Sequence, residues 1–326
     1  MSKPNGVAFD ADCVCTLIQS EMCHDQSSLQ INMNHFAGSP IPVCEFEDGN
    51  DSKTNEKSFV LVESPAPVLN TPNFTSVFSP DPHRLRHLRD ECYHMRELEY
   101  VALPGSVYEV ADTIFQNGRT VYRLRNGFYI NGEFVRYAAA EDLACHSKEL
   151  PSREEIINNM IKMEGSKYLW GGNYHQGLSL ESALYFSASI ANGYPKIVDR
   201  LLLKGVDCSG LLYEATNGFT PRNTGSLVQF GRPVQIEGLT VDQIIRKLEP
   251  LDIIVWKGHL IVVLNQKYVI DSRHEKRGGS CRGYVGLHPL RSTLKEILET
   301  RKPVNDYYSK KAPSKRFVIR RWYPSA

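Results

Sequence analysis

The chain has 326 residues, 41% of them hydrophobic and 23% charged, and its 38 basic and 37 acidic side chains leave a formal charge of +1. That balance belongs to an ordinary globular protein, long enough to bury a sizeable core and to form two domains. It excludes the highly charged disordered class and carries no basic footprint for nucleic acid, so no nucleic-acid partner is expected.

The first 57 residues end in the polar run Glu45-Phe-Glu-Asp-Gly-Asn-Asp-Ser-Lys-Thr-Asn-Glu56, which has little to bury and predicts a poorly ordered arm. No apolar signal core follows Lys3; Cys13-Val-Cys-Thr-Leu-Ile18 is short and stands behind Asp10 and Asp12. No run approaches the roughly 20 apolar residues of a membrane span, so the expectation is a cytoplasmic or cell-associated chain with no transmembrane segment. Cys13, Cys15, Cys23 and Cys44 crowd the arm near His24 and His35, yet no Cys-x-x-Cys unit occurs. Scattered reduced thiols are expected, with no metal and no cofactor. Cys92, Cys145 and Cys281 have no partner suggested by the sequence.

Residues 58–145 predict a small β-barrel. Phe59-Val-Leu-Val62, Thr120-Val-Tyr-Arg-Leu124 and Glu133-Phe-Val135 are strand-like, and Leu103-Pro-Gly-Ser106 and Arg125-Asn-Gly127 are turns. From 150 to 326 the pattern is mixed, which makes the fold class α+β. Ser152 and Glu155 form a capping box ahead of the apolar stripe Ile156, Ile157, Met160 and Ile161, and Gly165 ends that helix. Leu251–Trp256, His259–Leu264 and Tyr268–Asp271 read as a β-meander. Leu287–Leu290 and Arg316–Trp322 read as closing strands around the short helix Leu294–Leu298, with the basic final strand at a sheet edge.

The chemistry concentrates in Asp207-Cys208-Ser209-Gly210 and Gly258-His259. A thiol is nucleophilic as the thiolate, which a helix N-terminus beneath it and an imidazole beside it both favour. Asp207 is a natural N-cap, and Leu211, Leu212 and Ala215 are spaced to face a core, so Cys208 falls in the first turn. A hairpin centred on Asn265 would set His259 directly opposite Asp271, which supplies a base and an acceptor to orient it. Taken alone, a cysteine in a first turn is more often a small buried hydrophobe, and Asp271 could simply cap a strand.

Five segments in order resemble the NlpC-type cell-wall cysteine peptidases, which have a papain-like core: Tyr168-Leu-Trp-Gly-Gly172, Asp207-Cys-Ser-Gly-Leu211, Thr220-Pro-Arg-Asn-Thr224, Leu251-Asp-Ile-Ile254 and Gly258-His-Leu-Ile261. The closest in character carry a bacterial SH3-like domain ahead of the peptidase and cleave the γ-D-glutamyl to diamino acid bond of peptidoglycan stem peptides. The resemblance implies an SH3-like domain at 58–145, and a peptidase domain at 150–326 with an insertion at 173–206. It also implies Cys208 as nucleophile, His259 as base, and Asp271 or else His274 as third residue. The family usually has His, Asn or Gln at that third position. Tyr168 is implied beside the nucleophile and the oxyanion, with Asp207, Ser209, Trp170 and Ser226 as substrate contacts. The partner implied is a peptidoglycan stem peptide or muropeptide. The same core could instead serve an amidase, deamidase or acyltransferase, or a silent binding module. The insertion includes the amphipathic run Ser182-Ala-Leu-Tyr-Phe-Ser-Ala-Ser-Ile-Ala191 and could act as a lid, a specificity element or a partner surface.

Overall fold

A computed structural model describes residues 58–78, 94–139, 142, 150–179, 182, 201–277 and 280–324, and it is α+β, with two mostly antiparallel sheets. The arm at 1–57 with its four cysteines, Cys92, Cys145 and most of the amphipathic run, 183–191, lie outside the described residues.

The first sheet is built from β1 (Ser58–Val62), β2 (Ala66–Leu69), β3 (Leu98–Ala102), β4 (Val107–Gln116), β5 (Arg119–Leu124), β6 (Tyr129–Asn131) and β7 (Val135–Tyr137), in the order β3-β2-β6-β5-β4-β1-β7. Its edges are β3 and β7, so among the described residues it is open where the sequence predicts a closed barrel. The outer edge of β3 is served differently. Asn173 offers its side-chain amide to the Val101 backbone, accepting from Val101 N at 2.7 Å and donating to Val101 O at 2.8 Å. Glu133 is not in a strand either; Gly132–Phe134 is a 3-10 turn capped by the Asn131 side chain, and β7 begins only at Val135. The core of this sheet, including Val60, Val68, Val121 and Ile130, is completed by Leu169, Leu178, Leu201 and Leu203 from outside the sheet.

The second sheet runs β10 (Arg232–Pro233), β16 (Arg316–Arg321), β11 (Ile253–Trp256), β12 (His259–Val263), β13 (Tyr268–Arg277), β14 (Ser280–Pro289), and β15 (Lys302–Pro303) lies parallel to β16. Helices cover both of its faces. Ile253, Val255, Leu260 and Val262 pack with Ile156 and Met160 of α2 (Arg153–Lys162) and with Leu211 and Leu212 of α3 (Cys208–Ala215). The alternate residues Ile254, Ile261 and Val263 pack with Ile244 of α5 (Val241–Lys247) and with Leu290, Leu294 and Ile297 of α6 (Leu290–Thr300). Burial on both faces explains why β11 and β12 read as unbroken apolar runs instead of alternating ones. Two shorter helices are α1 (Phe74–Val77) and α4 (Thr224–Leu227).

The basic strand β16 is interior, flanked by β10 and β11, and not the edge strand that its charge suggests. Phe317, Val318 and Ile319 are buried, and the arginines have partners. Arg321 reaches Asp252 and Glu249 at 2.6–2.8 Å, and Arg320 donates to the carbonyls of Gln229 and Gly231. No helix among the described residues is long and apolar enough to cross a membrane.

Candidate active site

Cys208 is the first residue of α3 and is nearly enclosed. Asp207 caps the helix, its Oδ1 accepting from Gly210 N at 2.7 Å. The strand β9 (Gly205–Val206) leads into the cap, and β8 (Asn173–Tyr174) pairs with it. Gly210 packs against the Gly172 carbonyl so closely that a Cβ there would collide with it, which ties the Trp-Gly-Gly segment to the cysteine helix.

His259 opens β12, and its ring lies close enough to Cys208 for the sulfur to raise its affinity for a proton. Its Nε2 lies 2.8 Å from Oδ2 of Asp271, a fully enclosed carboxylate. Burial alone would lower the affinity of His259 for a proton, but the hydrogen bonds to Asp271 and Cys208 and their charges outweigh it and hold the imidazole at about 9. Burial likewise opposes the charge on Asp271, and His259, His288 and Arg273 overcome it, holding the carboxyl well below the usual range.

Asp271 and His259 meet by a route other than the expected one. The hairpin pairs Val262↔Ile270 and Val263↔Val269, a register two residues away from the pairing that would face His259 with Asp271. The loop is wider than a hairpin centred on Asn265. Leu264 N and Asn265 N both donate to Tyr268 O, while Asn265 Oδ1 accepts from Lys267 N and Tyr268 N. A slip of two keeps Asp271 on the same face, so it reaches His259 as a diagonal neighbour.

Tyr168 sits beside the cysteine. It forms a parallel bridge with Val206 and donates its N–H to Gly283 O at 2.9 Å. Burial, then the negative charges of Asp207 and Cys208, push its phenol far above the ordinary value. His274, the other candidate for third residue, is not against His259. Its ring lies 5.5 Å from that of Tyr168 and 4.7 Å from that of His94. Trp170 is 39% exposed, with the Arg96 guanidinium 4.0 Å over its ring.

Asp207 and Ser209 are buried in a lock around Arg222. Asp207 Oδ1 accepts from Gly210 N, Ser209 Oγ and Arg222 Nη1, and Oδ2 accepts from Gly171 N and from Arg222 Nη2 at 2.6 Å. Arg222 also donates to Ser209 Oγ and Gly172 O. Five donors fill the carboxylate, so it has no lone pair left for a substrate amine. Ser226 is half-buried in α4, and none of the site's hydrogen bonds among the described residues includes it.

Four positions escaped the sequence reading. Thr224 Oγ1 accepts from Gly258 N at 2.9 Å and so holds the turn that presents His259. Trp256 pairs with His259 across the β11–β12 hairpin, its ring 5.2 Å from the imidazole, where it shields that side. Arg273 and His288 border Asp271. An i, i+2 spacing on one strand was the available signal for Arg273; nothing local marks His288.

No family model and no curated protein matches this sequence. Among solved structures the chain is similar to an NlpC/P60 family protein from Bacillus cereus, with 16% identity and a TM-score of 0.31, over 82% of this chain and 64% of that one. This chain thus spans less than two thirds of that protein's length.

Proposed function

We propose that this chain is a cysteine peptidase acting on peptidoglycan stem peptides, with the γ-D-glutamyl to diaminopimelate bond as the favoured target. The observation that carries the reading is the Cys208, His259, Asp271 cluster, in which a cysteine at a helix start lies beside an imidazole held from behind by an enclosed carboxylate. The wall peptide as substrate rests on the five ordered segments that resemble the NlpC-type peptidases.

His259 takes the proton from Cys208 and holds it near neutral pH, and the sulfur attacks the scissile carbonyl carbon. The oxyanion develops at the start of α3. There Asp207 takes the Gly210 and Leu211 N–H groups, the uncapped Cys208 N–H is the donor assigned to the oxyanion, and Tyr168 stands beside it. His259 gives its proton to the leaving amine as the C–N bond breaks, and a thioester remains. Neutral His259 then takes a proton from water, whose oxygen attacks the thioester and frees Cys208.

Asp207 and Ser209 act in this scheme as scaffolding for α3 through Arg222, and substrate selection passes to the wall of Tyr168, Trp170, His94 and His274. The experiment is digestion of purified muropeptides, with free and acetylated L-Ala termini, beside simple amides and esters, read by product mass. Cys208→Ala should lower turnover by about 10⁴-fold or more with the fold intact. Full activity in that variant, or cleavage confined to the simple amides and esters, would refute the peptidase reading.

A further inference from the structure

Asp271 is enclosed on every side, and the groups around it carry more positive charge than one histidine requires. Arg273, two residues on in β13, places Nε 3.0 Å from each Asp271 oxygen and Nη2 2.9 Å from Oδ2. From β14, His288 brings Nε2 to 3.2 Å of Oδ1, out of line for a hydrogen bond. Space for His288 depends on Gly286, the residue paired with Asp271: a Cβ there would come within 3.1 Å of the His288 Nε2. The titratable and charged groups facing His259 and Asp271 are therefore Cys208 from α3, His259 from β12, Arg273 from β13 and His288 from β14.

The charge count has a consequence. When Cys208 and His259 form an ion pair, the four charges on Cys208, His259, Asp271 and Arg273 sum to zero. When His259 has given its proton away, Asp271 still has Arg273 beside it and is not left as an uncompensated buried anion. Without that cation, surrendering the proton would strand the Asp271 charge, at a cost that His259 would avoid by keeping its proton. We infer that Arg273, with His288 buttressing the far oxygen, is a positioning residue that sets how tightly Asp271 holds the protonated His259, and so tunes when His259 can release its proton. The inference rests on the Cys208–His259 reading above. Neither residue touches the reacting atoms.

The test is alkylation of Cys208 in the full chain by iodoacetamide, followed peptide by peptide from pH 5 to 11, with Cys208→Ala as the blank. In the wild type the alkylation profile should break near pH 9, where His259 loses its proton. Arg273→Gln should move that break upward by about 1 pH unit, while Arg273→Lys, which keeps the charge, should leave it within about 0.3 unit. Arg273→Met, which retains the side-chain stem, is a second neutral variant should the glutamine fail to fold. A break that stays in place in the neutral variants, or moves equally in the lysine variant, overturns the role of Arg273 and leaves the cysteine pair standing. A wild-type profile with no break, like that of an unpaired thiol, overturns the pair and the inference together.

Discussion

At the scale of single residues, His259 and Asp271 couple the site to stability, because each is held in its charged form by the other. His259 binds its proton more tightly folded than unfolded, so its contribution is complete below about 6.5 and is lost as the pH rises through about 9. A shift of that size corresponds to about 3 kcal/mol. Asp271 is displaced the opposite way: its contribution is present above 3.8, the ordinary value, and fades as the pH falls below it. Urea unfolding from pH 3 to 10 should therefore show a plateau with a falling limb on each side. Asp271→Asn should lower the plateau by about 2–4 kcal/mol, because it leaves the half-buried Arg273 and the protonated His259 without their carboxylate, and should cut the alkaline limb to less than half. An alkaline limb unchanged in the variant would show that the imidazole owes its proton to something else. Cys208, His259 and Tyr168 were all legible as residues, since each sits in a short motif whose spacing is local. Arg222 was legible only as part of such a motif. That it locks Asp207 and Ser209 depends on a side chain crossing from the α4 loop to the start of α3, and no spacing along the chain encodes that reach.

At the scale of elements, the position of Cys208 depends on how closely α3 approaches the 170–173 turn. Gly210 is the contact point, and it is required for the space it leaves and not for an unusual backbone angle. Gly210→Ala should push the helix from the Gly172 carbonyl, costing about 1–3 kcal/mol, and displace the sulfur enough to lower kcat about 10²-fold with KM little changed. Steady-state kinetics and urea titration check both, and wild-type kcat in the variant would mean that α3 is free to shift without harm. The capping box at Ser152 and Glu155 and the helix start at Asp207 were readable because caps are local, side chain to backbone within three residues. The β12–β13 register was not. Two extra residues in the loop are stabilised by the Asn265 side chain, and turn residues of this kind suit several loop lengths. The interior position of β16 was hidden for a related reason: its arginines look like solvent-facing charge, but Asp252 and Glu249 pair with Arg321 and the Gly231 carbonyl accepts from Arg320.

At the scale of the whole molecule, the two sheets are joined by the stretch that carries Tyr168 and Trp170. Asn173, fully buried, replaces a neighbouring strand for Val101, and Gly171 lies against Leu98 so tightly that a Cβ would strike its carbonyl. Leu169 and Leu178 complete the core of the first sheet, while Val206 and Cys208 belong to the core of the second. Asn173→Leu should leave the Val101 N–H and C=O buried without partners, costing about 2–6 kcal/mol for the two. It should also raise hydrogen exchange at Val101 while leaving that of β11 unchanged; equal loss of protection in both would show that the sheets unfold as one and that this bridge has no separate role. The sequence by itself determined the α+β class, the helix that presents Cys208 and the strand that begins at His259, because caps, turns and apolar runs act over a few residues. Only the tertiary structure decided that the first sheet is open among the described residues, that His274 turns toward Tyr168 while Asp271 takes the imidazole, and that Asp207 is enclosed by Arg222. Each of these is a contest among groups far apart in the chain for the same buried space or lone pair, settled only when the sheets and helices pack.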